Sequence, residues 1–183
     1  MRAMTELLLT GLLMVGTVAP SYAETSAVAP GFSLPSIYGG GEVSMEDYRG
    51  KVVYLDFWAS WCGPCRQSLP MLDQLRQEVG ADKFEVIAIN LDETPEEGLA
   101  FLKQFPVSYT VLVDQQKLTP RQYQLMGMPS SFLIDQQGVI RSSHTGFRKS
   151  DIEKIRKSVE ALLEAPTVSG SDKTSTQGAA NES

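Results

Sequence analysis

Apolar and polar positions fall into two periods along this chain. From Lys51 to Trp58 (KVVYLDFW) and from Phe84 to Asn90 (FEVIAIN), apolar residues run without alternation, each run broken by one carboxylate. Continuous apolar runs of this length predict strands buried on both faces. Tyr109 to Asp114 predicts another strand, and SFLIDQQGVIRSS predicts a hairpin turning at Asp135–Gly138. Upstream, Phe32 to Pro35 and Glu42 to Ser44 flank IYGGG, the pattern of two short strands around a glycine-rich turn. The helical period appears between these runs. Leu69, Leu72, Leu75 and Val79 predict an amphipathic helix from about Cys62 to Val79, with a kink at Pro70. Thr94-Pro95-Glu96-Glu97 reads as a capping box with proline at the first helical position, opening a helix to about Phe105. A short helix follows over Thr119 to Met126. Ser150 and Glu153 predict a second capping box, ahead of a helix striped by Ile152, Ile155, Val159 and Leu162.

Strands alternating with helices in this order predict an α/β domain with a central sheet and helices on both faces. The ends read differently. MRAMTELLLTGLLMVGTVAPSYAET has Arg2 in a short leading region, an apolar stretch from about Leu7 to Ala19, and small residues Ser21 and Ala23 at an A-x-A-like site. That is the pattern of a secretory signal peptide over residues 1–23, cleaved after Ala23, with an uncleaved membrane anchor as the alternative. The apolar stretch is shorter than the ~20 residues a membrane span needs. From 166 to 183 the chain is Ser, Thr, Gly and Ala with scattered charge, which predicts a disordered tail. The folded domain is therefore expected over 24–165.

Composition narrows the function. The 183 residues are 42% hydrophobic and carry a net charge of −6 without any basic run, so a nucleic-acid partner has no electrostatic footprint. The triple glycine has neither a P-loop lysine nor dinucleotide spacing behind it. An exported chain with only two cysteines, at positions 62 and 65, is not a stapled scaffold. The pair reads as catalytic.

Cysteines three apart at a helix start face the same side and close a disulfide with little backbone movement. At the helix N-terminus, Cys62 is expected to have a lowered pKa and to attack disulfides as the thiolate. Cys65, one turn in and covered, is the resolving thiol, and it must lose its proton. Asp56, in the apolar run at the end of the adjacent strand, supplies the acceptor, because burial raises a carboxyl pKa towards neutrality. No further cofactor is expected beyond the Cys62–Cys65 disulfide itself. Zinc lacks ligands, since the chain has one histidine, His144, which reads as a surface residue with no role. Cu(I) held by two thiolates is the binding-protein alternative. A structural disulfide is the bland one, but so short a loop constrains the unfolded chain weakly. A peroxidase lacks a separate peroxidatic cysteine upstream.

The residues DFWASWCGPC, with Pro70 in the helix and the later Gly127-Met128-Pro129-Ser130-Ser131-Phe132-Leu133-Ile134-Asp135, resemble the thioredoxin superfamily. The APGFSLPSIYGGG lead-in and the insert around Leu91–Val107 resemble its TlpA/ResA-like branch of periplasmic thiol–disulfide oxidoreductases. The resemblance covers roughly residues 29 to 163. It implies a thioredoxin-like fold: a central mixed sheet flanked by helices, with short N-terminal strands and a central insert. It implies Cys62 as nucleophile, Cys65 as resolving cysteine, and Pro129 as the cis-proline against the disulfide. Met128 would pair through its backbone with an extended substrate segment, and Trp61, Gly63 and Pro64 would border the exposed sulfur, with Trp58 in the core. The branch commonly has asparagine where this chain has Asp56, and some members use a glutamate in the insert. Glu93 matches that position, as a second acid near the cysteines or as a solvated carboxylate ahead of a helix cap. Gly-Pro between the cysteines resembles reducing members, with an oxidase or isomerase as the alternative direction. A membrane disulfide reductase as electron donor is implied, with protein disulfides, apo-cytochrome c or cysteine-bearing metal sites as clients.

Overall fold

The computed structural model describes residues 27–165. The expected signal peptide and C-terminal tail lie outside them. Two sheets form. Strands β1 (Ser33–Pro35) and β2 (Glu42–Ser44) pair antiparallel, followed by a 3-10 turn over Met45–Tyr48. The main sheet comprises β3 (Val52–Trp58), β4 (Phe84–Asn90), β5 (Thr110–Val113), β6 (Ser130–Ile134) and β7 (Ile140–Thr145). Its order is β5-β4-β3-β6-β7. β3, β4 and β5 run parallel, whereas β6 and β7 are antiparallel additions on the other side of β3. The helices are α1 (Cys65–Val79), α2 (Pro95–Gln104), α3 (Leu118–Gln122) and α4 (Asp151–Glu164).

Every residue of β3 and β4 is buried, as the near-continuous apolar runs predict for central strands. Side chains of β3 alternate between two cores. Val52, Tyr54 and Trp58 pack with Leu69, Leu72 and Leu75 of α1, Phe101 and Leu102 of α2, and Val159 of α4. Val53, Leu55 and Phe57 face Ala29, Met45 and Tyr123. Helices cover both faces unequally. The three longer ones share one face, and the lead-in with short α3 closes the other. Arg76 near the end of α1 pairs with buried Glu85 of β4, which ties that helix to the sheet.

Three local expectations are corrected. α1 begins at Cys65, so Cys62 lies in the turn ahead of it, with its carbonyl accepting from the Cys65 N–H at 3.1 Å. The box over Thr94 forms, with Glu97 Oε2 accepting from the Thr94 N–H at 3.1 Å, but the box expected at Ser150 does not. Ser150 already has helical angles, φ −67° and ψ −17°, which turn its side chain away from the cap. Asp151 takes over, accepting the Arg148 N–H at 2.8 Å. Finally, α3 ends at Gln122 rather than Met126. Gln124 takes a left-handed φ of 52°, and the chain beyond it bends towards β6.

Candidate active site

The disulfide sits where the carboxyl ends of the parallel strands meet the start of α1. Cys62 and Cys65 are bonded, with Cα atoms 5.4 Å apart. The loop from Ala59 is set by short hydrogen bonds: the Cys62 N–H donates to the Ala59 carbonyl at 3.0 Å, and Ser68 N–H reaches Pro64 O at 3.1 Å to open the helix. Pro70 removes one helical donor from α1 without ending it. Both cysteines are buried, while Gly63, Pro64 and Trp61 between and beside them face solvent. Trp61 is 67% exposed, and Trp58 is wholly buried against Phe101.

Across from the disulfide loop, the Met128–Pro129 peptide is cis. Pro129 is buried, and its carbonyl accepts from the Gly146 N–H at 2.8 Å, which fastens the start of β6 to the end of β7. Met128 is half-buried, and its backbone has no partner among the described residues. Met126 nearby is 91% exposed, a large apolar surface residue that the sequence pattern did not single out. A groove beside Pro64 is lined by Thr145, Gly146, Phe147, Arg148 and Lys154.

Asp56 lies within β3, two residues before its end, and alternation puts it on the face of Tyr54 and Trp58. Those residues pack in the cluster that holds Cys62 and Cys65. It is buried, its Oδ2 has no hydrogen-bond partner, and desolvation pushes its pKa up to about 8. Its charge also acts, second to burial, to raise the pKa values of Tyr54 and Tyr109. Directly across from it on β6 is Ser131, whose hydroxyl bonds the Tyr54 hydroxyl at 2.7 Å. Trp58 Nε1 is likewise buried without a partner.

The acids of the insert separate. Glu93 is exposed, whereas its neighbour Asp92 is almost wholly buried. Asp92 accepts the Ser60 N–H on both oxygens at 3.0 Å, the Ser60 hydroxyl at 2.9 Å and Asn90 Nδ2 at 2.7 Å. Lys117 Nζ donates to the carbonyls of Leu91 and Asp92. Helix α2 lies close over Asn90, since a Cβ on Gly98 would come within 2.9 Å of Asn90 Nδ2. Neither Asp92 nor Ser60 is expected at the site from the sequence. The one available signal is a short acid two residues beyond a largely apolar central strand. His144 is on β7, exposed, with Nε2 3.5 Å from Asp151 Oδ2. Among the described residues no group of three or more His, Cys, Asp or Glu side chains assembles as a metal site.

A sequence model described as the AhpC/TSA family matches residues 25–143. The chain is 35% identical over 130 residues to the thioredoxin-like protein YneN of Bacillus subtilis (strain 168), covering 69% of this chain and 75% of that one. It is 32% identical over 165 residues to the thiol-disulfide oxidoreductase ResA of Geobacillus thermodenitrificans (strain NG80-2), covering 87% and 95%. A crystal structure from Chlorobium tepidum, designated thiol:disulfide interchange protein DsbE, matches with a TM-score of 0.72 and 46% identity over 75% of this chain and 96% of that one.

Proposed function

The chain belongs to the AhpC/TSA family and is a thioredoxin-like thiol–disulfide oxidoreductase, and on that premise we propose that it reduces protein disulfides outside the cytoplasm, in the periplasm. The observation that carries the reading is a buried, unpartnered carboxylate, Asp56, on the strand face that packs against the cysteine pair.

In the reduced protein, Cys62 is the thiolate, stabilised by the amide groups at the start of α1. It attacks one sulfur of the client disulfide and forms a mixed disulfide, and the other client sulfur leaves as a thiolate and takes a proton. Asp56 then accepts the Cys65 proton. The Cys65 thiolate attacks Cys62 Sγ, the intramolecular disulfide forms, and the second client sulfur departs. Two electrons pass from the dithiol to the client. A carboxylate with a pKa near 8 is suited to this step because it holds and releases a proton near the working pH. Trp61, Gly63 and Pro64 border the sulfurs on the solvent side, and the unpaired Met128 backbone suits strand addition by an extended client segment. Glu93, exposed at the start of the insert, is assigned no part in the proton step.

Clients would be exported proteins with oxidised cysteine pairs, including apo-cytochrome c or cysteine metal sites, and a membrane disulfide reductase would return the electrons. The Gly-Pro dipeptide supports the reducing direction and the leader pattern supports export, while the donor and the clients follow from the resemblance to the TlpA/ResA-like branch. The test is the reduction potential of the Cys62–Cys65 pair against glutathione buffers at pH 7. A value near thioredoxin's, about −270 mV, supports reduction. A value near that of the oxidant DsbA, about −120 mV, reverses the direction and makes the protein a disulfide donor.

A further inference from the structure

On reduction, the loop before α1 loses the covalent link that ties Cys62 to the helix. What then holds Cys62 is the path of the chain from Ala59. Two backbone bonds act along that path, Cys62 N–H to Ala59 O and Cys65 N–H to Cys62 O, and both are local to the loop. The anchor to the rest of the protein is at Ser60. Its N–H and its hydroxyl both end on the Asp92 carboxylate.

Asp92 is itself held from three directions. Asn90 donates to Oδ2 from the end of β4, and the Leu91 N–H donates to Trp58 O at 2.9 Å, continuing the pairing of β4 with β3. Lys117 spans from the loop after β5 to the Leu91 and Asp92 carbonyls. Lys117 keeps a left-handed φ of 54°, which a residue with a side chain adopts only at a cost. Its ammonium on two carbonyls, and its N–H on Asp114 O at 3.2 Å, offset that cost. Thus the loops at the carboxyl ends of β3, β4 and β5 converge on Asp92, whose carboxylate grips Ser60, one residue before Trp61 and two before Cys62. A surface acid capping a helix needs none of these partners.

We propose that Asp92 is a positioning residue for the thiol chemistry. By gripping Ser60 through both backbone and hydroxyl, it keeps Cys62 in its attacking geometry when the disulfide is open. The inference rests on Cys62 being the nucleophile, and it is independent of the direction in which electrons flow.

The experiment measures the alkylation rate of Cys62 by iodoacetamide at pH 7 in the reduced protein, with the thiolate titration followed by ultraviolet absorbance and the thermal midpoint recorded alongside. In Asp92→Ala the rate is expected to fall about tenfold, the order that follows from displacing a reacting atom by part of an ångström. Asp92→Asn keeps one oxygen on Ser60 but sets its NH2 against Asn90 Nδ2, a donor facing a donor, so it is expected to recover only part of that rate. Ser60→Ala removes only the hydroxyl bond, and an intermediate fall of about threefold is expected; it also serves if Asp92→Ala does not fold. A lowered thermal midpoint with unchanged rate and unchanged titration in Asp92→Ala and Ser60→Ala would overturn the proposal and leave Asp92 a structural residue. Equal acceleration in Asp92→Ala and Asp92→Asn would overturn it differently, by showing that only the carboxylate's charge acts on Cys62. A reduction potential near that of an oxidant would reverse the proposed direction and leave these rates untouched.

Discussion

Two buried aspartates flank the redox loop, and they have opposite lives. Asp92 follows β4 and spends both oxygens on Ser60 and Asn90. Asp56, on β3, has an oxygen with no partner and a pKa near 8. Both are about equally hidden, at 1% and 2% exposure, so burial alone does not assign a carboxylate its role. The number of donors around it does. A carboxylate met by several N–H and O–H groups is a fixed structural acceptor, whereas one left without them is poised to take a proton.

Neutralising Asp56 and following stability with pH separates the two aspartates most strongly. The folded protein keeps the Asp56 proton up to about pH 8, against 3.8 for an ordinary aspartate. The folded state therefore binds the proton more tightly than the unfolded one, and oxidised-protein stability attributable to this group falls as pH rises from about 4 to about 8, by about 1.4 kcal/mol per unit. Asp56→Asn should abolish that slope and, by denaturant unfolding at pH 7, be more stable than the parent by about 4 kcal/mol. An unchanged slope would mean that Asp56 is not the carboxyl that titrates there.

Next in size is the kinetic effect of the same substitution. Resolution of a Cys62 mixed disulfide should slow about a hundredfold in Asp56→Asn, with loss of the limb that rises through pH 8, while the first attack by Cys62 changes little. Equal slowing of both steps would place Asp56 in positioning rather than proton transfer. Asp92→Ala should then move stability the other way. It leaves the Ser60 N–H and Asn90 Nδ2 without their acceptor and should cost about 2 kcal/mol by denaturant unfolding at pH 7. Glu93→Gln, the neighbouring exposed acid, should change stability by no more than about 0.5 kcal/mol and leave the pH profile of resolution in place. A lost pH limb there would return Glu93 to the proton step.

Much of this contrast is legible in the amino-acid sequence. Asp56 stood out because the run Val52 to Trp58 is otherwise apolar on both faces, and a carboxylate there has no ordinary reason to exist. Asp92 lies just beyond β4, beside Glu93, the acid that matches the family position. No periodicity separates the two, because they lie beyond the end of a strand, where side-chain direction follows the loop rather than the pleat. The same reason explains the missed cap at Ser150. A Ser-x-x-Glu pattern was present, but the preceding turn had already taken helical angles and handed the capping to Asp151.

Locally encoded features follow from the amino-acid order alone: two central strands from near-continuous apolar runs, the helical stripe of α1 behind a Cys-Gly-Pro-Cys turn, and an aspartate whose burial follows from its neighbours. Each depends on residues within one element, so spacing alone carries the information. Which groups meet at the carboxyl edge of β3, β4 and β5 is fixed instead by the packing of distant segments. Ser60 and Asp92 are 32 positions apart, and Lys117 is 25 from Asp92. Their meeting is set by parallel strand order and by the close fit of α2 over Asn90, and it is there that one buried acid is fully partnered while the other keeps a free oxygen.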